Sequence, residues 1–238
     1  MNSDSRRAYD KWHLDPHHSS DVETPWVRLV RQAWRREDIA GRLVLEIGCG
    51  RGDFARWLAS GPSSPARMVA SDFSVSGVAG HGTERRRLGG RLSWTAADIQ
   101  RLPFPDDAFD TVLSFETIEH VPRPSLALLE LARVLKPGGR LYLTCPSYLN
   151  FSGLYRIYLR LRGRRFQEAG QPINQPLLLP WTSALVRRTG LAVRLTASTE
   201  HQVLVPGRAP IRLPRLESRR WARWFGTQSI IVAEKPRG

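Results

Sequence analysis

Glu46, Gly48, Gly50, Gly52 and Asp72 are the residues whose types and spacing could do chemistry. The first four stand in Val44-Leu45-Glu46-Ile47-Gly48-Cys49-Gly50-Arg51-Gly52, where an apolar run ends in an acid and then in a glycine at every second position. Asp72 follows 20 residues after Gly52, at the end of a second apolar run, Met68-Val69-Ala70-Ser71. Glycine has no Cβ and accepts positive φ, so a strand breaking into such a turn lets a ligand approach bare backbone. An acid at the tip of the next strand is placed to accept hydrogen bonds from a ribose diol. The combination predicts a nucleoside-binding β-α-β unit.

The glycine spacing then separates ligands. A dinucleotide site favours G-x-G-x-x-G, and the position of its third glycine is Asp53 here. A pyrophosphate gains little from a loop bracketed by Glu46 and Asp53, whereas a cationic ligand tolerates both acids. Three further segments follow in order: Asp98-Ile99-Gln100-Arg101-Leu102-Pro103-Phe104, Ser114-Phe115-Glu116-Thr117-Ile118-Glu119-His120, and Leu135-Lys136-Pro137-Gly138-Gly139-Arg140-Leu141. Together with the glycine turn they resemble the motifs of class I S-adenosylmethionine (AdoMet) methyltransferases. Within that superfamily they look most like the type-11 methyltransferase domain, the group that includes quinone-biosynthesis enzymes. The resemblance covers residues 40–146 in register. It implies AdoMet as cofactor, with Gly48, Gly50 and Gly52 making room for the methionine part, Asp72 taking the ribose, and Asp98 and Ile99 taking the adenine. Glu46, Cys49, Phe73, Ser114 and Phe115 complete the implied cofactor-binding set.

Methyl transfer from a sulfonium is an in-line displacement from an activated donor. The protein has to align the acceptor and, for an oxygen nucleophile, remove a proton. His120 is the candidate catalytic residue. Many type-11 domains of differing specificity carry a Glu-His pair there, so a structural role in the cofactor loop is the alternative. His13, His17 and His18 in the N-terminal segment, and His201 after the sixth strand, are further candidates. Cys49 and Cys145, without nearby paired histidines, make no zinc site, and no metal is expected. Nor is a disulfide expected in a chain that reads as cytoplasmic.

The elements that must position these residues follow from periodicity and breakers. Residues 42–47, 67–71, 91–97, 109–115 and 140–145 read as strands. Residues 52–60, 74–88 and 123–136 read as the helices between them, the second interrupted by glycine. This alternation predicts an α/β, doubly wound Rossmann-like sheet with helices on both faces. The resemblance implies seven strands, mostly parallel, the last one antiparallel. Residues 1–40 form an N-terminal helical lead-in and pocket cover, with a helix starting at Pro25. Residues 41–146 form the cofactor-binding core, and 147–180 a basic lid insertion. Residues 181–238 complete the sheet (a helix at 181–189, strands at 191–198 and 227–235) around an Arg/Pro-rich excursion over 200–225. All belong to one structural domain.

The 238 residues carry a formal charge of +14, unevenly placed. Residues 1–145 hold 20 Lys+Arg against 18 Asp+Glu, while residues 146–238 hold 16 against 4. A compositional preference for arginine over lysine does not explain why acids vanish from the second half. In Leu154-Tyr155-Arg156-Ile157-Tyr158-Leu159-Arg160-Leu161-Arg162-Gly163-Arg164-Arg165-Phe166, a helix would put Leu154, Ile157, Tyr158 and Leu161 on one side and Arg156, Arg160 and Arg164 toward another. The expected apolar side closes over the acceptor. Four readings of the basic side stay open: a solvated face, peripheral membrane contact, an acidic ligand or carrier, and nucleic acid. The last is disfavoured, because no recognition module accompanies the arginines.

No run reaches 18 apolar residues, and the polar start, Met1-Asn2-Ser3-Asp4-Ser5, argues against secretion. The sequence therefore points to a cytoplasmic AdoMet-dependent methyltransferase of a small-molecule acceptor, at oxygen, of quinone, sugar or natural-product type. The acceptor could be anionic or carrier-bound. Two alternatives remain: an RNA or protein methyltransferase docking through the basic half, and a binding protein that keeps the fold without transfer chemistry. Oligomeric state is not legible.

Overall fold

Strands β1 (Leu43–Ile47) and β4 (Phe109–Phe115) are buried along most of their length, as parallel strands covered on both faces must be. In a computed structural model that describes residues 3–14, 24–79, 90–149, 151–163, 173–203, 211–217, 219 and 221–237, they form the middle of a seven-stranded sheet. Strand β1 pairs in parallel with β2 (Arg67–Asp72) on one side and with β4 on the other. Strand β2 in turn pairs with β3 (Leu92–Ala96). The order is β3-β2-β1-β4-β5 (Leu135–Pro146)-β9 (Gln228–Glu234)-β6 (Ala192–Thr199), so the direction of winding reverses at β1. Open sheets bind ligands at such a switch point, beyond the carboxyl ends of the strands.

Helices cover both faces. α3 (Asp53–Ser60) and α2 (Pro25–Ala33) pack on the face presenting Val44, Leu113 and Tyr142. α5 (Pro124–Val134) and α7 (Leu179–Arg188) pack on the face presenting Leu45, Val112 and Leu141. Proline opens α2, α5 and α7 within their first turn, where its missing N–H leaves no hydrogen bond unmade. The expected N-terminal lead-in is thus two devices. α1 (Ser3–Leu14) packs against α4 (Val75–Val78), beside the glycine turn, while α2 buries Val27, Leu29 and Val30 as part of the core. Only α2 was built from a visible apolar stripe.

Strand β5 runs Leu135–Pro146, five residues earlier than the sequence predicts. Its register with β4 jumps from Phe109–Leu135 to Thr111–Arg140, so Lys136–Gly139 form a bulge inside the strand rather than a turn before it. Gly138 takes φ +78° there, and the Lys136 ammonium pins the bulge to Asp110 at 2.8 Å. Strand β9 (Gln228–Glu234) slots between β5 and β6 (Ala192–Thr199), antiparallel to both. The expected excursion over 200–225 contains a small pair, β7 (Gln202–Val203) with β8 (Ile211–Arg212). The predicted helix at 74–88 is the short α4 as far as it is described, and residues 80–89 lie outside the described residues. So do His17, His18, Arg164, Arg165 and Phe166. Among the described residues no helix is long and apolar enough to cross a membrane.

Candidate active site

Since β1, β2 and β4 are parallel, their carboxyl ends meet at one edge, and the glycine turn leaves β1 there. Gly48, Gly50 and Gly52 all take positive φ, at +79°, +53° and +76°. Their surroundings differ. A Cβ on Gly48 would lie 2.0 Å from Thr117 Oγ1, and one on Gly52 would lie 2.0 Å from the Trp94 ring. Those two glycines are close-packing positions. A Cβ on Gly50 would meet only the His13 imidazole, at 3.2 Å. Gly50 is therefore where backbone stays open to a ligand.

Asp72 braces the turn from behind. Its Oδ2 accepts the Gly50 N–H at 2.8 Å and its Oδ1 the Ser74 N–H at 2.8 Å. Glu46 is buried beneath the turn, and its Oε2 has no hydrogen-bond partner among the described residues. Burial first, then repulsion from Asp72 and Asp53, pushes its carboxyl up to about 8. An unpartnered buried carboxyl costs free energy that a cationic group would recover. This donor set fits the ammonium and ribose ends of AdoMet, with Glu46 available to the first and Asp72 to the second.

Asp98, after β3, accepts the Gln100 N–H at 2.9 Å, and the neighbouring Ile99 is buried. Ser114 is buried in β4, and its hydroxyl has no hydrogen-bond partner among the described residues. The Phe115 ring packs in an aromatic cluster with Trp26 and Phe54, so it faces core rather than crevice. Cys49 and Cys145 are both free and buried, and burial raises both thiols.

Helix α1 closes this edge. His13, one of the candidate histidines, sets Nε2 3.7 Å from Asp72 Oδ1. Arg51 holds the His13 carbonyl at 2.7 Å, and Asp10 accepts from Ser74 Oγ at 2.6 Å. Arg6 and Tyr9 cover the Phe73 ring. None of these contacts has a local sequence signal, because His13 and Asp72 belong to separate elements.

His120 is committed elsewhere. Its Nδ1 donates to the Ile173 carbonyl at 2.6 Å, and its Nε2 lies 3.5 Å from Glu119 Oε1. Gln175 donates its backbone N–H to the Glu119 carbonyl and its side-chain amide to Val121. The end of the basic insertion is thereby strapped to the loop after β4. His120 ties two segments together.

Beside this crevice lies a cavity of about 1230 Å³. Tyr148, just past β5, His201, just past β6, and Phe225, just before β9, all line it, so it opens from the same sheet edge. Leu154 and Ile157 of α6 (Phe151–Leu161) form another wall. His201 is 4% exposed. Its Nε2 donates to the Ala222 carbonyl at 2.8 Å, leaving Nδ1 as a lone-pair acceptor with no partner among the described residues. The apolar side of α6 reaches the cavity through Leu154 and Ile157. Leu154, Ile157, Tyr158 and Leu161 are exposed, and Arg156 and Arg160 line the cavity beside them.

In sheet order and in the glycine turn at its switch point, the chain has the fold of solved AdoMet-dependent methyltransferases. Residues 45–143 match the family model of a methyltransferase domain. The chain is 34% identical over 134 residues to methyltransferase GfsG of Streptomyces halstedii, covering 56% of this chain and 48% of that protein. It is 37% identical over 121 residues to a fatty-acid O-methyltransferase of Mycolicibacterium smegmatis, covering 51% and 43%. A demethylmenaquinone methyltransferase of Clavibacter sepedonicus is 42% identical over 128 residues, covering 51% and 49%. The chain spans about half the length of the curated relatives it matches. In fold it is similar to the [4+2]-cyclase SpnF, with a TM-score of 0.62 at 21% identity over 92% of this chain and 86% of that one. A SAM-dependent methyltransferase of Methanosarcina mazei gives a TM-score of 0.62 at 18% identity, over 88% and 98%.

Proposed function

We propose that this protein transfers the methyl group of AdoMet to a small, largely apolar acceptor, at oxygen. The carrying observation is that one sheet edge holds both the glycine turn, with Asp72 and Glu46 behind it, and a roomy apolar cavity. Ligand pockets generally run to about 300–1,000 Å³. A cavity at or above that size suits a long or polycyclic acceptor better than a sugar. The relatives named for fatty-acid and menaquinone substrates share this apolar character. A macromolecular acceptor has no use for such a chamber.

AdoMet supplies a methyl group already activated on a sulfonium. The chain's own residues bind and orient. Asp72 takes the ribose hydroxyls, Asp98 and Ile99 the adenine, and the Glu46 carboxylate balances the ligand's positive charge. His120 positions the strap that borders the acceptor, and His201 Nδ1 accepts a hydrogen bond from the acceptor's polar group within the apolar wall.

Calorimetric titration with AdoMet tests the cofactor half. Asp72→Ala should weaken binding tenfold to a hundredfold, on the order of 1.5–3 kcal/mol for a lost hydrogen-bonded carboxylate. Mass spectrometry for S-adenosylhomocysteine, with long-chain acids and quinols offered as acceptors, tests the other half. Turnover on RNA or protein but on none of these would overturn the acceptor class.

A further inference from the structure

We propose that the mouth of the apolar cavity docks on a lipid bilayer containing anionic lipid. The lining of the cavity continues outward as an exposed apolar rim. Leu154 and Ile157 line the cavity yet are 60% and 58% exposed, and Trp221, from the excursion before β9, lines it and is 61% exposed. Leu161, one turn beyond Ile157, is 83% exposed. Helix α6 lies against β7, whose partner strand β8 exposes Ile211. Scattered exposed apolar residues are ordinary, but several large ones around one opening mark an interaction surface.

Charge selects the occupant. Arg156 and Arg160 line the cavity, Arg162 comes directly after the end of α6, and Arg212, Arg215 and Arg223 stand in the facing excursion. Of the described acids nearby, Glu200 pairs with Arg28, and Glu217 accepts from Thr199 and from the Glu200 N–H. None of the described acids lines the cavity. Leucine and isoleucine among arginines on a helix too short to span, with a tryptophan beside it, are the chemistry of an element lying in the headgroup region of an anionic leaflet. A soluble acidic partner would meet the arginines but leave the apolar side chains in water. Docked this way, a lipophilic acceptor reaches the cavity from the acyl phase without crossing water. That route of entry rests on the function proposed above; the docking does not.

The test is co-sedimentation of the full chain with vesicles of phosphatidylcholine, alone or with about a third phosphatidylglycerol. Binding should need the anionic lipid and weaken as salt shortens the screening length. Leu154→Ser/Leu161→Ser and, separately, Trp221→Ser alter exposed positions, so both should melt as the parent does while binding vesicles about tenfold less tightly. Binding that survives both rim variants would show attraction by charge alone and overturn the proposal. So would failure to bind any vesicle, whether the rim then proves to pair two copies by light scattering or to take an acidic carrier protein. AdoMet titrations on the same samples separate the two ideas. A protein that binds AdoMet and ignores vesicles refutes the docking, and one that docks through its rim without binding AdoMet refutes the function.

Discussion

Glu46 carries a testable conflict between stability and binding. Burial beneath the glycine turn, with Asp72 and Asp53 adding repulsion, raises its carboxyl from 4.5 to about 8. Between those values the folded state keeps a proton that the unfolded state has released. The stabilising contribution is therefore complete below about pH 4.5 and is lost as pH rises through about 8. Glu46→Gln removes the titration and keeps the shape. It should melt close to the parent in acid but well above it in mild alkali, by on the order of 3 kcal/mol. The same change should weaken AdoMet at least about tenfold, because it removes the charge opposite the cation. Melts at both pH values, paired with calorimetry, read the two effects, and parent-like AdoMet affinity would take Glu46 out of the site. His201 is tested through the acceptor. His201→Ala should raise KM about tenfold and leave AdoMet affinity unchanged; a change confined to kcat would make it a base rather than an anchor. Glu46, the glycines and Asp72 were legible because one β-α-β unit contains them all. His201 could only be named among several histidines, since its burial and its tie to Ala222 depend on the excursion closing over it.

At the scale of elements, the glycine turn divides by what stands behind each Cα. The three positions are equivalent in sequence spacing. Packing against Thr117 and Trp94 sets Gly48 and Gly52 apart from Gly50. Gly52→Ala and Gly48→Ala should each lower the melting temperature by several degrees, through steric overlap added to about 1 kcal/mol of left-handed strain. Gly50→Ala carries the same left-handed strain without the overlap, so it should lose less stability than the other two while losing AdoMet, since its new methyl meets only the movable end of His13. Circular-dichroism melts beside binding titrations would show this split; uniform losses of stability would mean the turn is purely structural. Strand and helix positions were legible to within a few residues because apolar runs and prolines are local signals. The β5 bulge was not, because Leu135 pairs with Phe109 across the sheet and no property of Lys136–Gly139 announces it. The closure by α1 was equally hidden, as its contacts are polar and lie far apart in the chain.

Across the whole molecule, the charge split marked the second half as different without revealing that it walls a cavity. Walls assembled from a helix, a strap and a loop excursion leave no periodic trace. The cysteines offer a global probe. Both thiols are buried and raised, so a thiol reagent should label neither in the native protein and both after denaturation. Cys49 lies in the glycine turn, and AdoMet should slow its labelling further. Rapid native labelling of Cys49 would show that this edge opens far more often than the packing allows. Strand β9 has a consequence of another kind. It follows every other element in the chain, yet it lies between β5 and β6. While the nascent chain leaves the ribosome, β5 is an unpaired edge and β6 has nothing to join, so the methyl-donor side can assemble before the acceptor side exists. Until the last strand emerges, the growing polypeptide shows neighbouring chains an open strand edge, the hazard that makes slow, long-range pairings depend on chaperones.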